Sequence, residues 1–193
     1  MADYRGVTVL SGDGRTRELK RWLEWLRRVP AIRRKFSKWS DDFDPFHSNE
    51  AASVAVLANA ASRAGYLAHT EYVAVKRHST RGRPFRPGRC DLWVADVGNE
   101  VSWAFEVKQH FAATGMRQRT FDARLARARK DASQVDPDEA DRRVGLLIAV
   151  PPQGALQTKK LIQHFDEISA SADISFRIGG GVGAIWLAFS FAD

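Results

Sequence analysis

The stretch RCDLWVADVGNEVSWAFEVKQ, residues 89–109, decides how this chain is read. Two runs rich in Val, Phe and Trp flank Gly98-Asn99, a pair that favours a tight hairpin turn. A two-residue turn there sets Val97 against Glu100. Ala95 then faces Ser102, Trp93 faces Ala104, and Asp91 faces Glu106. Strand alternation sends Leu92, Val94, Trp103 and Phe105 to one face, where they are expected in the core. The opposite face carries Asp91, Glu106 and Lys108. Directly opposed residues have β-carbons about 4.5–5.5 Å apart, and like charges at that spacing repel. A divalent cation between the carboxylates removes the conflict. Oxygen ligands of this kind suit Mg²⁺ or Mn²⁺ rather than zinc. Lys108 would then orient or stabilise an attacking water beside the metal. The competing reading is an Asp/Glu/Lys ion cluster on an exposed sheet edge.

Working backward, residues 49–65, NEAASVAVLANAASRAG, form a helix capped at Ser48 and ended by Gly65. Its small apolar residues imply close packing on a sheet. Glu50 stands one turn before Val54, on the stripe that continues through Leu57, Ala58 and Ala61. It is therefore expected to point inward, toward the hairpin. Residues 66–77 read as a strand. Residues 15–38 are the most basic region, with Leu19, Trp22, Leu23 and Leu26 at helical spacing and Arg27 and Arg28 on the remaining surface. Pro30 ends or bends that helix.

Working forward, residues 117–135 form a helix carrying Arg117, Arg119, Arg124, Arg127, Arg129 and Lys130, with Phe121, Leu125, Ala128 and Ala132 as its apolar side. VGLLIAV, residues 144–150, is expected as a central strand. Residues 157–170 form an amphipathic helix. GGGVG at 179–183 precedes β-type sequence rather than a helix, so it reads as a hairpin turn and not as a phosphate loop. The order predicts a mixed sheet of four to six strands with helices on its faces. Residues 1–40 are expected as a basic helical extension and 41–193 as the main domain.

The chain has 193 residues, 44% hydrophobic and 27% charged, which is globular composition. No apolar run reaches the ~20 residues of a membrane-spanning helix. The start lacks the pattern of a signal peptide, so a cytoplasmic location is expected. Cys90, the single cysteine, excludes an intramolecular disulfide and a cysteine-based zinc finger. A net charge of +7 points to a polyanionic partner, nucleic acid first.

Glu50 on a helix, then Asp91, then a strand ending Glu106-Val107-Lys108, resembles the PD-(D/E)xK nuclease superfamily, the restriction-endonuclease-like fold. The resemblance covers roughly residues 44–150. Asp91 matches the motif aspartate, Glu106 the second acid, Lys108 the lysine, and Glu50 the acid often found on the first helix. Cys90 stands where many members have proline. Gln134 resembles a glutamine carried by some exonuclease-like branches. The resemblance implies a restriction-endonuclease-like core and Mg²⁺-dependent hydrolysis of phosphodiester bonds, most often in DNA, with Mn²⁺ as a substitute. Asp91, Glu106 and Glu50 would hold the metal. Arg27, Arg28, Arg81, Arg83, Arg86, Arg89, Arg117, Arg119 and Arg124 would contact the nucleic-acid backbone. Two alternatives stay open: a binding or assembly module that keeps the fold without cleaving, and an RNA-directed nuclease. A double-strand cut needs two sites, which argues for a homodimer, and a chain of 193 residues leaves room for a partner protein that selects the target.

Overall fold

The most apolar run of the chain becomes the middle of a sheet. In the computed structural model, which describes residues 6–14, 16–41, 43–77, 85–152, 158–180 and 183–192, seven strands lie in the order β1-β6-β7-β5-β4-β3-β2. They are β1 (Val7–Ser11), β2 (Leu67–Arg77), β3 (Phe85–Asp96), β4 (Val101–Phe111), β5 (Arg142–Val150), β6 (Ile174–Ile178) and β7 (Ile185–Phe191). β5 is central, parallel to β4 and antiparallel to β7. Both faces of such a strand are covered, so it need not alternate. The remaining pairs are antiparallel, including β6 with β7 across the glycine-rich segment.

Among the described residues, five helices cover the sheet: α1 (Arg17–Leu26), α2 (Val29–Trp39), α3 (Glu50–Arg63), α4 (Gln118–Ala132) and α5 (Lys159–Ser169). On one face, α1, α2 and α3 bury Trp22, Trp25, Ile32, Val54 and Leu57 against Trp103, Phe105, Leu146, Leu187 and Phe189. On the other, α4 and α5 bury Phe121, Leu125, Leu161 and Phe165 against Leu147, Ala149 and Trp186. This is an α/β architecture with a mixed sheet between two helical layers.

The sheet has seven strands, not four to six. The strand missing from the expectation is β1, a five-residue edge that pairs only with β6 and shifts register between Val9 and Ser11. Too short for a clear alternation, it gives little periodic signal. The N-terminal helices are also more than a basic extension. The Trp22 ring sits 4.6 Å from that of Phe189, and Trp25 Nε1 donates to the Leu57 carbonyl at 2.7 Å. Pro30 falls in the first turn of α2, where its missing N–H costs nothing. Asn49, not Ser48, caps α3, its side chain accepting from the Ala52 amide at 2.8 Å.

Two local features position the site. The hairpin register is the expected one, Trp93 facing Ala104 and Ala95 facing Ser102. Its turn is longer, however. Residues 97–99 form a 3-10 turn and Glu100 takes a left-handed conformation at φ 50°. The second feature is Gly145 on β5, beside Glu106. A β-carbon there would collide with the backbone of Ala128 and Arg129 on α4. Glycine therefore lets α4 lie directly on the sheet next to Glu106.

Candidate active site at the open edge of β4

Backbone amides on one edge of a strand need partners when the neighbouring strand leaves. The β3–β4 ladder runs from Asp96–Val101 to Leu92–Phe105 and stops there. Beyond it, two amides on that edge of β4 are taken by side chains. The Val107 N–H donates to Asp91 Oδ2 at 2.7 Å. The Gln109 N–H donates to Glu50 Oε2 at 2.6 Å. Two carboxylates thus replace a strand, and each keeps a second oxygen directed away from that bond.

Asp91 does not reach this position by simple alternation. Cys90 packs with Ala74 and Ala104 on the α4 side of the sheet. Asp91 instead lines a cleft of about 300 Å³ with Glu50, Ala51, Val54, Thr70 and Glu71, on the α3 side. Glu71, at the pairing position between Thr70 and Tyr72, has a positive φ of 49°. The strand pair is distorted there. The expected facing pair of Asp91 and Glu106 lies one step past the end of the ladder and is not formed.

Glu106 and Lys108 leave β4 toward α4. Glu106 is 4% exposed, and its Oε1 accepts from Lys76 Nζ of β2 at 2.6 Å. Lys108 Nζ lies 3.2 Å from Asp131 Oδ2, in the last turn of α4. The four motif residues therefore approach the open edge from both faces, Glu50 and Asp91 from one, Glu106 and Lys108 from the other. They share an electrostatic field. Burial pushes the Glu106 carboxyl above its ordinary value, and Asp91 adds to this against Lys76 and Lys108. Burial likewise raises Glu50, opposed by the Gln109 amide and Lys108 and aided by Asp91 and Asp131. For Lys108, burial works toward loss of the proton. Asp91, Asp131 and Glu50 outweigh it and raise the pKa.

Among the described residues, no three His, Cys, Asp or Glu side chains are gathered closely enough to hold a metal as they stand. Glu106 is drawn instead to Lys76. The donor chemistry nonetheless fits a hard cation: three carboxylates around one edge, two of them oriented by backbone amides.

Sequence reasoning missed Lys76, Asp131 and the role of Gln109. Gln109 Oε1 accepts from Ser53 Oγ at 2.6 Å, and its Nε2 donates to the Phe46 carbonyl at 2.8 Å. That ties α3 and the segment before it to β4, fixing where Glu50 falls. A signal for Asp131 existed: an acid in the last turn of a basic helix opposes the helix dipole and calls for a cationic partner.

The arginines expected at a polyanion scatter over several surfaces. Arg86 and Arg89 are exposed on β3, Arg89 Nη1 lying 3.0 Å from Glu71 Oε2. Arg117, Arg119 and Arg124 are exposed at and within α4, and Arg119, Arg124 and Arg127 line an open groove. Arg28 is exposed and Arg27 half-buried. Arg81 and Arg83 lie outside the described residues. The Gln134 carbonyl accepts from the Arg77 amide at 2.7 Å. Comparison with models of known protein families, with curated proteins and with solved structures gives no match.

Proposed function

We propose that this chain is a Mg²⁺-dependent nuclease that hydrolyses phosphodiester bonds in DNA as an endonuclease, on a restriction-endonuclease-like core. The observation that carries the reading is the open edge of β4. There, two carboxylates take the place of a strand, and a buried acid and a cation leave the same few residues. A fold seeking only stability would pair that edge with backbone, since buried carboxylates cost solvation energy.

Asp91, Glu106 and Glu50 are the residues that would hold the ion. Bound, it supplies Lewis-acid charge next to a phosphodiester. The protein's own groups do the rest. The Val107 and Gln109 amides fix one oxygen of Asp91 and of Glu50, so neither carboxylate swings freely. Lys108 keeps its proton in this acidic setting. It is a fixed cation rather than a base, suited to negative charge developing on a phosphate. Exposed arginines on β3 and α4 contact the backbone of the strand without reading bases. Mn²⁺, with the same preference for oxygen ligands, substitutes for Mg²⁺.

The Glu106–Lys76 pair favours a second reading, a nucleic-acid-binding module without cleavage, because it occupies one oxygen of the central acid. A Mg²⁺ titration on circular, linear and single-stranded DNA, with RNA in parallel, separates the readings. Nicking of circular DNA supports the endonuclease. Cleavage of RNA alone moves the substrate. Salt-sensitive binding with no cleavage in Mg²⁺ or Mn²⁺ supports the module. Cutting both strands calls for a homodimer or a partner, which the order of assembly on DNA would reveal. No helix among the described residues is long and apolar enough to cross a membrane.

A further inference from the structure

Lys76 belongs to no motif, yet it has a seat made for it. It sits on β2, where its strand is clamped on the side away from β3. The Arg77 amide donates to the Gln134 carbonyl at 2.7 Å, the Asp136 amide to the Val75 carbonyl at 2.9 Å, and Lys76 bridges Val135. Its aliphatic stem crosses Gly88 of β3. A β-carbon at position 88 would come within 2.7 Å of Lys76 Cδ and 3.0 Å of its Cγ. The backbone at Gly88 has no positive φ, so conformation does not require glycine there. What requires it is the lysine stem. The stem ends with Nζ 2.6 Å from Glu106 Oε1, the two side chains 12% and 5% exposed.

We infer that Lys76 is a positioning residue: seated over Gly88, it holds one oxygen of Glu106 and turns the other toward the cation site. The inference rests on the metal-dependent reading of that site. A carboxylate that binds a metal is itself held by outer partners, and their loss weakens the metal by 10–100-fold. Simple electrostatics gives the opposite sign, because deleting a cation near a metal site should tighten binding. The two accounts are therefore distinguishable by direction.

The test is calorimetric titration of the intact protein with Mn²⁺ alone, with folding checked by circular dichroism. The wild type is expected to bind, and Lys76→Met to bind 10–100-fold more weakly. Lys76→Arg, which returns a cation, recovers affinity relative to Lys76→Met. Gly88→Ala leaves every charge in place and only fills the groove. It should weaken Mn²⁺ as well, and it carries the test if Lys76→Met fails to fold. Unchanged or tighter binding in the folded variants overturns the positioning role while leaving the metal site standing. A wild type that takes up no Mn²⁺ overturns the metal reading, and this inference with it.

Discussion

β4 has two halves that solve one problem in different ways. Near the hairpin turn, its β3-side edge is paired with backbone from Asp96–Val101 to Leu92–Phe105. At the far end, the same edge is held by the carboxylates of Asp91 and Glu50. Backbone pairing is neutral and fully satisfied. Carboxylate pairing brings negative charge into a half-buried place, where burial raises the pKa of Glu50 against the Gln109 amide, and burial also raises that of Glu106 on the other face. The first half is what stability asks for. The second accepts a cost that the proposed chemistry would explain, and that contrast is what singles out the far end of β4.

A carboxylate at the turn end sharpens the contrast. Asp141 Oδ2 accepts from the Ser102 amide and hydroxyl, both at 2.7 Å, in the open at the start of β5. It too caps a β4 amide, and the charged group acting on it is Arg17 rather than a second carboxylate. If the two ends differ in purpose, substitutions should separate them.

Among the carboxylates that cap β4 amides, the largest effect is expected at Asp91. Asp91→Ala should lower cleavage by about 10²–10³-fold and cost about 1–3 kcal/mol by orphaning the Val107 amide. Asp91→Asn keeps an acceptor, so urea unfolding should return most of the stability while cleavage stays lost. Next comes Gly145→Ala, which drives a methyl into α4 beside Glu106. A loss of about 1–3 kcal/mol is expected, with a lower urea midpoint.

Glu50→Gln is a subtler test. Its raised pKa means that the folded state holds the proton more tightly than the unfolded chain does. Wild-type stability therefore falls as pH rises above the ordinary value of 4.5. The glutamine variant keeps a carbonyl acceptor for the Gln109 amide and escapes that loss. Thermal melts should show it at least as stable as wild type at pH 7, the advantage vanishing below about pH 4, with cleavage impaired throughout.

The smallest effect belongs to Asp141→Ala, about 1 kcal/mol or less with cleavage intact. Hydrogen bonds from Ser102 hold the Asp141 carboxyl below its ordinary 3.8. Its contribution is present above that pH and is lost as pH falls through the lowered value.

The hairpin register was legible because Gly98-Asn99 marks the turn and the apolar faces alternate on either side. It survived a longer turn, since the extra residues were taken symmetrically from both strands. The inward aim of Glu50 was legible from its place on the α3 stripe. The switch of Asp91 to the α3 side was not. It depends on a distortion opposite Glu71, and no glycine or proline announces it. Lys76 was hidden for another reason. It lies in a strand 30 positions before Glu106, and only the sheet order brings the two side chains together. β1 was too short to declare itself.

The proposed function makes the far end of β4 a metal-dependent phosphodiesterase site and leaves the turn end a structural one. Plasmid relaxation in Mg²⁺ by wild type, Glu106→Ala, Lys108→Ala and Asp141→Ala separates the two ends. Nicking is expected from wild type and Asp141→Ala, abolished by EDTA, and none from the other two folded variants. Full activity in Glu106→Ala or Lys108→Ala, or no cleavage of any DNA form by the wild type in Mg²⁺ or Mn²⁺, would contradict it.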